Sequence, residues 1–425
     1  MGTRVSSMLN AFWSMNERLM RIFSLICAGL VLIAAPLAAQ VGLPRVQLPP
    51  VGPALGGTLD TVDRSAADVQ RLAQRLVRER LRTIDRLVER NSDVIELDAS
   101  GAPARRGELL LMGVSQNDLG KVLGAGFLVL SREELEGLDL SVIRVGVPAG
   151  VKLADAQAVL AALVPQASVS PDNLHFPSGR ASAAILVAAP STTSGRSAPV
   201  GVIDGAAGAS VKVAETRGFA KGAPYPSHHG TSVVSLLSHV GAATIRVADV
   251  YGTDKAGGNA LAMAKGLGWL VARGSKVVTI SLVGPRNAVL ERAIGAAQRK
   301  GVVVVAAVGN DGPAAPPAYP ASYEGVVAVT GVDGKRRALI EAGRALHLDY
   351  AAPGADIYGR NAKGKRIKLR GTSFATPLVA ARAALAIGQG RNWRSALDAE
   401  AIDLGPQGAD STYGKGLVCA QCTGR

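Results

Sequence analysis

The sequence predicts an α/β protein in which a doubly wound, mostly parallel sheet is preceded by a small α+β domain. Three observations predict this class. The 425 residues are 48% hydrophobic and only 19% charged, which excludes a disordered chain or a coiled coil. After about residue 198, short β-branched runs alternate with helical patterns. Glycine is frequent, with 50 residues, and aromatic residues make up 4%, a balance that suits tightly turned α/β architecture.

The N-terminal segment has the pattern of a secretory signal peptide. Arg18 and Arg21 precede an apolar run over residues 22–33, and small residues follow as far as Ala39. This run is short for a membrane span, so we expect residues 1–39 to be removed on export to the periplasm or the medium. An uncleaved membrane anchor is the alternative.

Residues 40–106 combine a Pro-rich linker with a basic amphipathic helix. Apolar residues recur at near-helical spacing between Ala66 and Arg90 and predict a helix there. Eight arginines lie between Arg64 and Arg90 and alternate with acidic residues. A basic amphipathic helix can lie on a membrane, but the balanced charges favour a solvated face opposite a packed one.

Residues 107–177 are predicted to form the small domain. Its strands are expected over 109–113, 127–130, 141–147 and 167–173. Its helices are expected over 154–163 and over 115–123, where Ser115 supplies an N-cap. The following segment, 178–198, is rich in Ala, Ser and Thr and is predicted to be a linker.

Residues 199–425 are predicted to form the large domain. Its strands are expected over 200–203, 244–251, 276–281, 301–308 and 325–330. Helices are expected between them, over 229–238, 258–273 and 286–300. The strands are near-continuous runs of Val and Ile, which indicates a parallel sheet that is covered on both faces.

Four polar residues of this domain form a set that suits nucleophilic catalysis. Asp204 ends the first strand, His229 opens a helix, and Ser373 precedes an apolar helix predicted over 378–387. A serine hydroxyl attacks well only when an imidazole takes its proton, and a buried carboxylate must orient that imidazole. Asn310 ends another strand, where its amide and a backbone N–H of the nucleophile can bind an oxyanion.

The motifs around these residues resemble those of the subtilisin-like serine proteases. His229-Gly-Thr is similar to the family's histidine motif, Gly371-Thr-Ser-Phe-Ala-Thr-Pro to its nucleophile motif and Ala307-Val-Gly-Asn310 to its oxyanion motif. The resemblance covers roughly residues 198–420. It implies a serine endopeptidase that cleaves proteins or peptides through an acyl-enzyme. The sequence shows no clear calcium-site signature, so no metal is assigned, and no cofactor is expected. The segment similar to the family's substrate-binding strand is Ser281, Leu282, Val283 and Gly284.

The resemblance also implies that the small domain is a propeptide. In this family such a module assists folding, inhibits the enzyme inside the same chain and is then cut away. Autocleavage is expected within 178–198. Two departures from the family pattern stand out. Gly-Ala follows Asp204 where Ser or Thr and then Gly is usual, so we expect a hydrogen bond to the carboxylate to be missing. Val283 replaces the usual Gly, so we expect small residues before the cleaved bond.

Cysteine usage indicates a local disulfide. Once the signal peptide is removed, Cys419 and Cys422 remain, and in an oxidising compartment their simplest fate is a bond to each other. A zinc site would need two further ligands nearby, and the sequence offers none there.

The charge of the large domain leaves several interpretations open. From residue 181 onward there are 28 basic and 15 acidic residues, against 19 and 18 before it. No nucleic-acid-binding signature accompanies this surplus, so no nucleic acid is expected. A basic group precedes the nucleophile around an Asn-Ala-Lys-Gly turn: Lys363, Lys365, Arg366, Lys368 and Arg370. We expect a solvated hairpin face, and the alternatives are a preference for acidic peptides or contact with an anionic envelope surface.

A second function class competes with the protease. A catalytically silent subtilase fold could serve as a binding or scaffold protein of the cell envelope. The Gly-Ala after Asp204 is the one feature that favours it, whereas the presence of all four chemical residues favours the enzyme.

Overall fold

The computed structural model describes residues 66–178, 180–183 and 196–422. The predicted signal peptide, the Pro-rich linker and most of the 178–198 segment lie outside these described residues. Within the described ranges, no helix is both long enough and apolar enough to cross a membrane.

The N-terminal part begins with helix α1 (Ala66–Arg90) and continues as an antiparallel sheet with two helices. The sheet has the order β1-β2-β4-β3, and β5 pairs with β2. The strands are β1 (Ile95–Leu97), β2 (Pro103–Met112), β3 (Leu128–Leu135), β4 (Leu140–Gly146) and β5 (Ser168–Asn173). The helices are α2 (Gln116–Gly124), with Ser115 as its N-cap, and α3 (Leu153–Leu163). Because β1 and the start of β2 precede residue 107, this unit begins earlier than predicted.

Both faces of this small sheet are covered, which explains the unbroken apolar run in β2. Leu109 and Leu111 point into a core shared with α2 and α3. Leu110 and Met112 point the other way and join the core of the large domain. Alternate residues of a strand face opposite sides, so a strand buried on both sides reads as continuous rather than alternating hydrophobicity.

The large domain is built on a parallel sheet with the strand order β15-β14-β13-β11-β8-β10-β9. Its strands are β8 (Val200–Asp204), β9 (Glu215–Gly218), β10 (Ile245–Asp249), β11 (Val277–Ile280), β13 (Val303–Ala307), β14 (Val327–Val332) and β15 (Tyr350–Pro353). Its helices are α4 (His228–His239), α5 (Ala260–Ala272), α6 (Ala288–Arg299), α7 (Thr372–Gly388) and α8 (Trp393–Glu400). The predicted doubly wound α/β class is confirmed, since separate apolar cores cover the two sheet faces.

Five further strands lie near the carboxyl ends of the parallel strands. β6 (Phe176–Pro177) pairs with β12 (Leu282–Val283), and β7 (Arg180–Ala183) pairs with β17 (Arg366–Arg370). The latter strand also forms an antiparallel hairpin with β16 (Ala355–Arg360). The predicted 178–198 linker therefore contains a strand.

Helix α7 begins six residues earlier than the sequence predicts. The predicted helix began just after Pro377, whereas the helix in the structure contains this proline. A proline has no N–H and would leave the carbonyl of Ser373, four residues earlier, without its helical partner. The Ser281 hydroxyl donates to that carbonyl at 2.8 Å, so the backbone acceptor is satisfied and the helix continues through the proline.

Candidate active site

The predicted chemical residues converge at the carboxyl edge of the parallel sheet. Asp204 is the last residue of β8, and Asn310 lies three residues after β13. His229 and Ser373 each occupy the first turn of a helix, α4 and α7 respectively. In open α/β sheets this edge is where ligands bind.

Asp204 and His229 form a hydrogen-bonded pair in which the imidazole is 14% exposed. Asp204 is fully buried, and its Oδ2 lies 2.8 Å from His229 Nδ1. Its Oδ1 accepts the backbone N–H of Gly205, also at 2.8 Å. A carboxylate on Nδ1 fixes the tautomer that leaves Nε2 free to accept a proton.

Gly230 explains why the histidine motif needs glycine directly after the base. A Cβ at this position would lie only 2.0 Å from the carbonyl oxygen of Gly205. The absence of a side chain lets the start of α4 press against the loop after β8, which brings the imidazole to Asp204. Ser227 caps the helix by accepting the Gly230 N–H at 2.8 Å.

Ser373 and Asn310 meet at the carbonyl oxygen of Ser178, a residue of the N-terminal part. Asn310 Nδ2 donates to this oxygen, and Ser373 N lies 3.3 Å from it. The Asn310 amide is oriented from its other side, because its Oδ1 accepts the Thr372 N–H at 3.1 Å. Two convergent donors on one peptide oxygen are the arrangement that stabilises a tetrahedral oxyanion.

The hydroxyl of Ser373 makes its hydrogen bonds to groups other than His229 in this structure. It donates to the carbonyl of Ser281 at 2.9 Å and lies 2.7 Å from the hydroxyl of Ser178. Within the described part of the chain, His229 Nε2 is buried and has no hydrogen-bond partner. The structure thus joins Asp204 to His229 and Ser373 to Asn310, but it does not form the hydrogen bond between serine and histidine.

The four residues predicted to bind substrate contribute in different ways. The backbone of Leu282 and Val283 pairs with Pro177 and Phe176, whereas the side chain of Leu282 is buried in the core. Val283 stands beside the positive-φ Gly309, where an added methyl group would lie 3.6 Å from Val283 Cγ1. The remaining two are Ser281, which holds the start of α7, and Gly284, where a Cβ would lie 2.6 Å from the His175 ring.

Three residues that the sequence did not assign to the site lie in or beside the cleft. Ser178 presents its carbonyl to Asn310, His175 is fully buried against Gly284, and Asp172 accepts the Leu261 N–H at the start of α5 at 3.0 Å. The sequence contained only part of the information needed to find these three residues. By its resemblance to the subtilase propeptides, the sequence 171–176 is similar to a tail that leads to the active site, but only the pairing of β6 with β12 fixes which carbonyl reaches Asn310.

Burial shifts the pKa values of two of these residues in opposite directions. It raises the pKa of the Asp172 carboxyl to about 7, despite the Leu261 N–H and the nearby Arg105. It lowers the pKa of the His175 imidazole to about 4. In both cases the buried environment disfavours the charged form.

Metal and cysteine chemistry are separate from this site. Among the described residues, no group of three or more His, Cys, Asp or Glu side chains is placed to hold a metal ion. Cys419 and Cys422 form a disulfide close to the C-terminal end of the described chain.

Comparisons with known proteins give the family that the motifs resemble and the same class of fold. The model of the subtilase family matches residues 203–416. Subtilisin DY from Bacillus licheniformis is 31% identical over 253 residues, which cover 53% of this chain and 89% of that protein. Thermitase from Thermoactinomyces vulgaris is 34% identical over 198 residues, covering 46% and 68%.

A solved structure extends the likeness in fold. Fervidolysin from Fervidobacterium pennivorans, described as a keratinolytic enzyme related to subtilisin, superposes with a TM-score of 0.61 at 17% identity. The match covers 77% of this chain and 62% of fervidolysin. This share exceeds the length of the large domain, so the likeness includes residues of the N-terminal part.

The chain belongs to the subtilase family. It is therefore a serine-type endopeptidase that acts on peptide substrates, as the motifs predict, and the comparisons lend no support to a silent scaffold.

Proposed function

We propose that Ser373 is the nucleophile of this endopeptidase, with His229 as general base and then general acid. Asp204 orients the imidazole and stabilises its charged form. Asn310 Nδ2 and Ser373 N bind the oxyanion. The observation that carries this assignment is the position of the Ser178 carbonyl oxygen, which both donors contact. A peptide carbonyl already lies where the reacting group of a substrate belongs.

The chain is a precursor whose own residues occupy its cleft. Ser178 is the residue before the cleaved bond, and the bond that breaks first is Ser178–Gly179. Ser373 Oγ attacks the Ser178 carbonyl carbon, while His229 takes the hydroxyl proton and then gives it to the leaving amine of Gly179. Water hydrolyses the resulting acyl-enzyme. A small serine before the bond agrees with the pocket that Val283 narrows.

The Ser373 hydroxyl must turn before this reaction starts. Its bond to the Ser281 carbonyl holds it away from His229, and a general base acts only within hydrogen-bond reach of the proton. We assign the arrangement in the structure to the latent precursor.

Residues 66–178 act as the intramolecular inhibitor of the same chain. Three kinds of contact support this. The tail adds a strand to β12 and fills the cleft. Polar contacts hold the tail at its base, where the Asn287 amide donates to the Pro171 carbonyl at 2.8 Å and Asp172 caps α5. The outer face of the small sheet contributes Leu110 and Met112 to the large domain's core.

Helix α1 is part of this inhibitor rather than a linker. Arg80 Nε donates to Asp311 Oδ2 at 3.1 Å, directly after the oxyanion residue Asn310. The next residue, Gly312, packs so closely on Leu76 that a Cβ there would lie 2.8 Å from Leu76 Cδ1. Further along α1, Leu87 and Val88 pack with Phe176 of the tail. The helix therefore contacts both the tail and the oxyanion loop.

We place the enzyme outside the cytoplasm, in the periplasm or the medium. The signal-peptide pattern of residues 1–39 and the Cys419–Cys422 disulfide support export.

The test of the proposed function is the N-terminus of the self-processed enzyme. Purified precursor incubated at neutral pH is expected to yield a mature chain that begins at Gly179, or at a later residue of 180–198 after secondary trimming. N-terminal sequencing and intact-mass measurement at early times distinguish the first cut after Ser178 from later trimming. A mature chain that retains residues before 107 would contradict the proposal.

Asp172 and His175 are expected to change the affinity of the inhibitor in opposite directions as the pH rises. The pKa of Asp172 is raised, so its contribution to holding the inhibitor is present at low pH and is lost as the pH rises through about 7. The pKa of His175 is lowered, so its contribution is present above its ordinary 6.5 and is lost as the pH falls toward about 4.

Removing either group exposes the effect of the other. In Asp172→Asn, the affinity of the cleaved inhibitor is expected to fall by about 30-fold between pH 7.5 and pH 5. In His175→Gln, it is expected to fall by about 100-fold between pH 5 and pH 8. Size-exclusion chromatography of the processed complex measures the retained fraction. Identical profiles in the two variants would refute the assignment.

A further inference from the structure

The strand that follows the predicted cleavage site is paired with the basic hairpin. β7 (Arg180–Ala183) lies antiparallel to β17, with Arg180 opposite Arg370 and Ser182 opposite Lys368. Arg180 and Ser182 are the second and fourth residues after the Ser178–Gly179 bond. The chain is therefore strand-paired with the large domain on both sides of Ser178, through β6 before it and through β7 after it.

Strand β17 has one buried and one solvent-facing side. Ile367 and Leu369 are buried in the core of the large domain. The alternate residues Arg366, Lys368 and Arg370 lie on the other face, and Lys363 and Lys365 stand at the hairpin turn. We call these five side chains the basic edge.

Two carboxylates form ion pairs with residues of the basic edge. Glu341 forms a two-pronged ion pair with Arg370, and Asp356 lies 2.7 Å from Lys368. Arg366 stacks over the ring of Tyr358, with its guanidinium carbon 4.1 Å from the centroid. Neither ion pair buries its cation, because the Arg370 and Lys368 side chains remain 48% and 44% exposed.

We propose that β17 binds the part of a substrate that follows the cleaved bond as an added antiparallel strand. The basic edge then selects acidic side chains at the second and fourth positions after that bond. This inference rests on the proposed function, because it places the substrate in the same cleft and register as residues 174–183. The hairpin of β16 and β17 is then a determinant of substrate specificity and not only a solvated face.

The register supplies the physical reason. Residues directly opposite each other in an antiparallel pair share a face and have Cβ atoms about 5 Å apart. A substrate carboxylate at the second position therefore lies beside Arg370, and one at the fourth position beside Lys368. The chain's own junction has Arg180 and Ser182 at these positions and offers no carboxylate. Acidic substrates are thus better matched to this edge than the segment released by autocleavage.

The test uses the processed enzyme and internally quenched peptides of the form Leu-His-Phe-Pro-Ser-Gly-X-Ala-Z-Ala, in which X and Z are Glu, Gln or Lys. Each Glu in place of Gln is expected to raise kcat/KM about threefold at low salt, and the two together about tenfold. The gain should shrink to less than twofold in 0.5 M NaCl, since salt screens exposed charges. Removing the last three residues should lower kcat/KM about fivefold, because the strand pairing is lost.

Single variants assign the effect to residues. Arg370→Gln is expected to remove the preference at X only, and Lys368→Gln the preference at Z only. Lys276→Gln is the matched control, because Lys276 is exposed at the opposite, amino-terminal end of β11. The ratio of Glu to Gln peptides is the readout, so a general change in activity cancels.

The outcomes separate the inference from the proposed function. Cleavage of the Gln/Gln peptide after Ser by the wild type, but not by Ser373→Ala whose 179–198 segment has been cut with trypsin and whose inhibitor has been removed, supports the function whatever X and Z do. Equal kcat/KM for Glu, Gln and Lys peptides overturns the inference and leaves the function standing. The inference also fails if the variants lose binding to anionic phospholipid vesicles with no change in peptide preference, since the edge would then be a membrane contact.

Discussion

Replacing Ser373 by Ala is expected to leave the precursor uncut after Ser178, whereas the wild type splits there. The substitution removes the atom that we propose attacks the carbonyl, while Asn310 Nδ2 and Ser373 N, the donors to that carbonyl, stay in place. In subtilisin, a member of the same family, loss of the serine costs on the order of 10⁶ in kcat. Intact mass and gel electrophoresis over several days measure the effect.

The control for this prediction is Ser411→Ala, which removes an exposed hydroxyl elsewhere in the large domain. It should process at the wild-type rate. The fold of Ser373→Ala is checked by circular dichroism, since the variant also loses the hydrogen bond to Ser281. Self-cleavage of Ser373→Ala at a rate near that of the wild type would show that another group attacks the bond.

Replacing Asp204 by Asn is expected to lower kcat by about 10⁴ at neutral pH. The Gly205 N–H donates to Asp204 Oδ1, so the oxygen of the new amide will stay on that side. Its NH₂ group then faces His229 Nδ1 and forces that nitrogen to accept. The proton moves to Nε2, which can no longer take the proton of Ser373.

Asp249→Asn is the matched control, because Asp249 is another fully buried carboxylate at the end of a neighbouring strand. It accepts the backbone N–H groups of Tyr225, Tyr251 and Gly252, and none of its hydrogen bonds involves His229. Its loss should lower the unfolding free energy by about 1 kcal/mol and leave kcat within a few-fold. A kcat for Asp204→Asn within tenfold of the wild type would contradict the orienting role.

The sequence predicts the parallel strands well because their signal is local. Runs such as 200–203 and 303–307 are buried on both faces, so nearly every residue is apolar and the pattern is unambiguous. Ser115 marks a helix start correctly for the same reason, since an N-cap needs only its own next turn.

The sequence does not show which strands pair when the partners lie far apart in the chain. Strands β6 and β7 have little local signal and exist because β12 and β17 offer their edges. The early start of α7 depends on a hydroxyl supplied by Ser281, 92 residues away. The carbonyl in the oxyanion site is likewise set by register. The motifs could therefore predict the catalytic residues, but they could not predict which carbonyl contacts Asn310 Nδ2 and Ser373 N.

The departure after Asp204 has a structural counterpart. With Gly205 and Ala206 in place of a hydroxyl residue and Gly, Asp204 Oδ1 accepts a backbone N–H from the very next residue. That contact needs no side chain, so the carboxylate stays oriented toward His229. The feature that favoured a silent scaffold is thus compatible with an intact site.

Labelling of the processed enzyme with a fluorophosphonate probe tests the central claim most directly. The probe bonds to a serine hydroxyl only when a neighbouring base activates it. The wild type, freed of its inhibitor, is expected to be labelled on the peptide that contains Ser373. Ser373→Ala does not process itself, so its 179–198 segment is cut with a trace of trypsin, which is removed with the inhibitor before labelling, and this variant is expected to stay unlabelled. A folded, inhibitor-free wild type that remains unlabelled, or a label on any other serine, would contradict the assignment of Ser373 as the nucleophile.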